Sequence, residues 1–192
     1  YMILGSTQQF SLLNFDIWMI KIDNEGTEQW NKYHGSGSDD YGQTILYLSD
    51  GTYLIKAISS AFGNENNSVI LLKTDASGNE EWTKSFGGTN SNHGNTIRET
   101  DDGSFIMVSS KYDYGSNDYN IWLIKIDKNG FVEWEKTFGG INSDLGLSVD
   151  LSVDGGYLLT GSTGTIGNGD ENSSDLWLIK TDSEGNTIAE SN

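Results

Sequence analysis

An all-β chain built from four copies of one four-stranded antiparallel unit is what three observations predict. A lysine-centred apolar octet recurs at a near-constant step, a tryptophan follows its first three copies at a fixed distance, and Asp-Gly turn signals separate the apolar runs. The composition agrees. Of 192 residues, 35% are hydrophobic, low for one thick core, yet 11% are aromatic and 24 are glycine, the balance of many short strands joined by tight turns.

The octet Asp16-Ile17-Trp18-Met19-Ile20-Lys21-Ile22-Asp23 aligns with Ser68-Val69-Ile70-Leu71-Leu72-Lys73-Thr74-Asp75 and with the segments 120–127 and 175–182. Its lysines (Lys21, Lys73, Lys125, Lys180) stand 52, 52 and 55 residues apart. Trp30, Trp82 and Trp134 each lie seven residues past the closing aspartate. Gly42, Gly94 and Gly146 keep the step of 52, as do Asp50-Gly51, Asp102-Gly103 and Asp154-Gly155. Such internal periodicity is the signature of repeat architectures.

Within one copy, strand A is expected over 96–100, strand B over 104–110, strand C over 121–126 and strand D over 131–138. The turns between A and B and between C and D both place an Asp ahead of a Gly, the chemistry of a type I turn closed by a residue at positive φ. A single meander of this kind cannot bury both faces. Stacking against its neighbours covers them, and radial stacking gives a β-propeller of about four blades. The copies span approximately 1–35, 36–87, 88–139 and 140–192 of a single repeat domain. In strand D, alternation puts Trp82, Lys84 and Phe86 on one face, and likewise Trp134, Lys136 and Phe138, so the indole is expected to wedge between blades with a lysine stem beside it. His34 takes the place of Phe86 and Phe138 and reads as a packing aromatic.

The unit written IKIDKNGFVEWEKTFGG and GLSVDLSVDGGYLLTGST resembles the β-propeller repeats of secreted and surface proteins of bacteria and archaea, similar in style to quinoprotein-like and WD40-like blades. The resemblance covers the whole chain and implies the fold and a secreted or cell-surface location. It brings no catalytic residues, because nothing here matches a quinone-binding or calcium-binding set. The first copy lacks strand A, since Tyr1 to Thr7 match Tyr157 to Thr163, and the last copy ends without its tryptophan. Two closures stand: an imperfect four-bladed ring, or an arc completed by further sequence or a second chain. The chain opens inside an expected strand without Met or signal peptide, so a portion of a longer precursor is expected.

The net charge of −17 repels phosphate backbones and argues against nucleic acid as a partner. With no cysteine, disulfides, thiolate metal sites and a Cys nucleophile are excluded. No apolar run reaches the length of a membrane-spanning helix.

Binding is expected on the end where the copies differ. The B–C connections cover 8–15, 61–67, 111–119 and 164–174, and the D–A connections 36–41, 89–93 and 141–145. The opposite end, with its short repeated turns, reads as structural. Phe10, Phe15, Phe62, Tyr112, Tyr114 and Tyr119 supply a stacking surface for sugar rings or a protein, or else pack over the blade ends. Asp39 with Asp40, Asp113 with Asp118, and Asp170, Glu171 and Asp175 offer carboxylates for Ca²⁺, although none has the spacing of a twelve-residue calcium loop. Asp40 and Asp144 also read as caps at the entry to strand A. The recurrent lysines read as framework, and neither His34 nor His93 has the partners of a metal or nucleophile site. Leu46, Arg98 and Asp150 share one strand A position, where Arg98 and Asp150 read either as a functional departure from the repeat or as a pair. The preferred function is a non-catalytic extracellular or cell-surface module binding a glycan or a protein. The alternatives are a polysaccharide hydrolase or lyase with carboxylates at the channel mouth, and a spacer within a larger surface protein.

Overall fold

The computed structural model describes residues 1–8, 14–60, 68–87, 96–140, 142–164 and 174–188. Among them lie fourteen strands and no helix, in four antiparallel meanders of the blade type the repeat predicts. The contacts gather into two compact halves, 1–91 and 92–192.

The first half holds a three-stranded sheet of β1 (Met2–Gln8), β2 (Phe15–Ile22) and β3 (Glu28–His34), then a four-stranded sheet of β4 (Asp40–Tyr47), β5 (Tyr53–Ser59), β6 (Ser68–Thr74) and β7 (Glu80–Phe86). The second half holds β8 (Thr96–Glu99), β9 (Phe105–Asp113), β10 (Asp118–Ile126) and β11 (Val132–Phe138). There follow β12 (Asp144–Leu151), β13 (Tyr157–Thr163) and β14 (Asp175–Thr181). A fourth strand of this last sheet only begins, where Thr187 bridges Thr181 and the Ile188 amide donates to the Lys180 carbonyl.

The turn residues explain the periodic Asp and Gly. At the C–D turn, Asp23 donates its amide to the Thr27 carbonyl, and its own carbonyl accepts from Gly26. Its carboxylate accepts from the amides of Glu25 and Thr27 at 3.1 and 2.8 Å. The same pattern recurs at Asp75, Asp127 and Asp182. The A–B turns use the aspartate differently. There Asp50, Asp102 and Asp154 sit just before the glycine and accept from the amide two residues on. Gly26, Gly51 and Gly103 have φ of 83°, 83° and 77°, where a side chain is disfavoured.

The recurrent Gly42 and Gly146 have a different cause, since neither adopts positive φ. Each lies where strand A crosses strand B of the preceding sheet in its half. A Cβ on Gly42 would stand 3.0 Å from Leu4, and one on Gly146 would stand 2.7 Å from the Ser109 carbonyl oxygen and Val108 Cγ2. Their amides donate to Ser6 and Ser110 hydroxyls at 3.0 and 3.1 Å. At both of these positions the repeat glycine is a close-packing requirement between sheets.

The seams within each half are equivalent. In the first, Ile17 and Met19 pack with Tyr53, Ile55, Ala57, Ile70 and Leu72, flanked by Trp30. In the second, Ile106, Val108, Ile121 and Leu123 pack with Val149, Tyr157, Leu159 and Ile179, flanked by Trp134. The indole of Trp30 lies on Gly78 beside the Lys32 stem, and that of Trp134 on Gly185 beside the Lys136 stem. Lys32 then reaches Asn79 and Lys136 reaches Asn186, at 3.1 and 3.0 Å. The expected wedge of indole and lysine stem is present in both halves. His34 joins the first seam through Nε2, which donates to the Gly78 carbonyl at 3.1 Å. Burial holds its pKa below the usual histidine value.

Candidate functional site

The segment 111–119, expected as a loop, is mostly strand. β9 and β10 pair out to Asp113 opposite Asp118, leaving a tight turn over 114–117. The alternation of the strands continues through polar residues that read as loop chemistry in the sequence. Asp113 makes the turn: its carboxylate accepts from the Gly115 amide at 2.9 Å and the Ser116 hydroxyl at 3.2 Å. Its carbonyl accepts from Asn117, which sits at φ 61°, a conformation asparagine tolerates. Asp118 instead accepts from the Ser143 hydroxyl at 2.8 Å. The two carboxylates thus serve separate partners.

This hairpin gathers the three predicted tyrosines. Tyr112 and Tyr119 face each other across the strands, with ring centroids 5.1 Å apart, and Tyr114 meets Tyr112 at the same distance, both in edge-to-face geometry. The Tyr112 hydroxyl donates to Asn117 Oδ1 at 2.7 Å. Burial and the two neighbouring phenols push the Tyr119 hydroxyl above its ordinary pKa. Tyr114 projects outward and is 70% exposed. Beside the rings, Lys111, Tyr112, Asp113, Asn120 and Thr137 line a recess of about 230 Å³. Lys111 lies over the Trp122 ring at 4.9 Å and 3.4 Å from Glu135, which accepts from the Trp122 indole N–H at 2.8 Å.

The other expected aromatics divide. Phe15 opens β2 instead of lying in a loop, and its ring meets Tyr41 at 5.4 Å. Phe10 and Phe62 lie outside the described residues, as do Asp170, Glu171 and His93. Tyr41 and Leu145 also move from connection to strand, because β4 and β12 begin at Asp40 and Asp144. The reason is the cap. Asp40 is fully buried, and its Oδ2 accepts from the Ser36 amide and hydroxyl at 2.7 and 2.8 Å. The equally buried Asp144 accepts from the Gly140 amide at 2.9 Å. Asp39 accepts from the Phe15 amide at 2.9 Å, and Asp175 opens β14 opposite Thr163. Among the described residues no group of three or more His, Asp or Glu side chains is placed to share a metal ion. Arg98 and Asp150 do meet, at 3.2 Å between β8 and β12, as an exposed pair.

A cleft of about 330 Å³ opens at the turn end of the second half, the end expected to be structural. Trp134 and Tyr157, with centroids 5.9 Å apart, line it together with Asp101, Asp102, Lys125 and Glu133. Lys125 is held by the Thr100 hydroxyl at 2.8 Å and by Asp102 at 3.3 Å. The Thr100 hydroxyl, the Ser104 amide and Lys125 together keep Asp102 well below the usual carboxylate range. The tie repeats: Lys73 meets Asp50 at 3.3 Å and Lys180 meets Asp154 at 2.8 Å. In these three sheets the recurrent lysine therefore ties strand C to the A–B turn of its own sheet.

One residue escaped sequence reasoning. Lys56, in the middle of β5, is fully buried, with its Nζ 2.5 Å from Gln43 Oε1. Burial moves its pKa from 10.5 down to about 8. The signal was present in the repeat, where Leu4, Val108 and Thr160 stand at the equivalent positions.

No family model matches the chain, and no curated protein matches it. Among solved structures, the endo-arabinase from Bacteroides thetaiotaomicron VPI-5482 is similar over 95% of this chain and 70% of its own, at 13% identity and a TM-score of 0.48. At that level the likeness says nothing of this chain's activity.

Proposed function

We propose that the chain is a non-catalytic extracellular or cell-surface binding module that takes a glycan on the tyrosine tip of the β9–β10 hairpin. One observation carries the reading: three tyrosines converge at 5.1 Å beside a polar recess, with one ring left outward. A sugar presents an apolar C–H face to an aromatic ring and hydroxyls at its rim. Tyr114 suits the face. Lys111, Asp113 and Asn120 supply donors and acceptors for the rim. Paired strands hold these groups more firmly than a free loop would.

The alternative of hydrolysis needs one carboxyl raised toward neutrality to act as acid. Every described aspartate whose acidity departs clearly from ordinary is moved the other way, by hydrogen bonds in its own turn or by its lysine. That favours binding. A glycan array followed by calorimetry on the strongest hit tests the reading. Tyr114→Ala should weaken that hit about tenfold, as loss of one aromatic contact implies, with an unchanged melting temperature. A blank array, a hit indifferent to the substitution, or cleavage of the glycan would refute it.

A further inference from the structure

We infer that the turn-end cleft of the second half is a second ligand site, taking an alkylammonium or guanidinium group over Trp134. The site lies at the opposite end of the sheets from the tyrosine tip and does not depend on the glycan reading.

The cleft combines an aromatic wall with uncompensated negative charge. Asp102 is neutralised by Lys125, but among the described residues neither Asp101 nor Glu133 has a hydrogen bond or ion pair. The negative field reaches the wall: burial, then Asp102 and Glu133, push the Tyr157 hydroxyl above its ordinary pKa. An indole face flanked by carboxylates attracts a cation through both the ring quadrupole and Coulomb forces. The chain's net charge of −17 raises the local concentration of cations further.

The first half shows the same chemistry satisfied from within. In its three-stranded first sheet, Lys21 meets no turn aspartate among the described residues. Its ammonium stands 6.0 Å from the centroid of Trp30. Lys125 and Trp134 are the equivalent pair, opposite each other across β10 and β11 as Lys21 and Trp30 are across β2 and β3. In the second half, however, Thr100 and Asp102 hold the lysine. Among the described residues no cation lies over Trp134. The indole is left for a cation from outside.

The test uses the whole chain and follows its tryptophan indole N–H resonances, with Trp134→Phe assigning the relevant one. N-acetylarginine methylamide and N-acetyllysine methylamide should shift the Trp134 signal saturably. The citrulline analogue, matched in shape but neutral, should not. Glu133→Gln, an exposed change, should weaken the cation about fivefold, and Asp101→Asn similarly. A basic tripeptide that binds more tightly than the single residues would identify a polypeptide as the source. Equal binding would identify a small free cation. Equal response to arginine and citrulline derivatives, no shift at all, or binding indifferent to both carboxylate changes would overturn the inference.

Discussion

Lys56 offers a sharp thermodynamic test of this packing. Its ammonium stands in the interior at a position that the other copies fill with leucine, valine or threonine. Its one partner given by the structure is a neutral amide oxygen, which returns little of the hydration lost. Moving the group from 10.5 to about 8 corresponds to about 3 kcal/mol, at about 1.4 kcal/mol per pH unit. The sign follows from proton linkage. With the folded pKa below the unfolded one, the unfolded chain binds more protons between pH 8 and 10.5, so stability rises through that window. Below pH 8 the cost is fully felt.

Lys56→Met, which keeps the stem and removes the charge, should therefore stabilise the fold at pH 7 by up to about 3 kcal/mol. Its advantage should shrink progressively towards pH 10. Urea unfolding followed by tryptophan fluorescence, run on both proteins across this range, measures the difference directly. Taking the difference cancels the titration of the surface lysines and tyrosines. A constant gap from pH 7 to pH 10, or a variant less stable at pH 7, would refute the reasoning, since both mean that the ammonium is adequately solvated.

Two further substitutions probe the seams. Gly146→Ala drives a methyl into the Ser109 carbonyl and Val108 and should cost about 2 kcal/mol or more. Gly103→Ala meets no atom but sits at φ 77°, and should cost about 1 kcal/mol; equal costs would contradict the distinction. Asn31→Gln should stabilise by about 1 kcal/mol, because the buried Trp18 indole N–H lacks the acceptor that Glu135 gives Trp122 from the equivalent position. An unchanged or lower urea midpoint would count against it.

What the sequence made legible was whatever the backbone demands locally. Aspartate and glycine at fixed offsets specify turns whatever surrounds them, and two steps of 52 carry Trp30 and Trp134 to equivalent seams. The caps at Asp40 and Asp144 were readable for the same reason. The β9–β10 extension was not, because Asp113, Gly115, Ser116, Asn117 and Asp118 suit a loop or a tight hairpin equally well. Only the pairing of Tyr112 with Tyr119 decides between them. Lys56 was hidden because lysine alternates with apolar neighbours on any half-exposed strand, and burial on both faces is a property of the stack. The turn-end cleft was missed for a related reason: short turns leave no mark in the sequence of the space between two of them.

The repeated lysine shows how one side chain takes different work from copy to copy. Where an A–B turn is present, its aspartate competes for the ammonium. In the first sheet, Lys21 stands beside the indole of Trp30 instead. Asp102→Ala should therefore hand Lys125 from the turn to Trp134, reproducing the arrangement of Lys21 and Trp30 in the first half. The lost amide contact to Ser104 should cost about 1 kcal/mol of stability, which the fold should survive. The exchange itself is visible as an upfield shift of the Lys125 side-chain protons, moved over the ring. An added arginine derivative should bind more weakly to this variant, but removal of a carboxylate alone would also weaken it. The double variant Asp102→Ala with Lys125→Met separates the two causes. If the lysine covers the ring, removing it restores binding despite the missing carboxylate. If the double variant binds no better than the single one, Lys125 never reached the indole, and competition for that lysine does not govern access to Trp134.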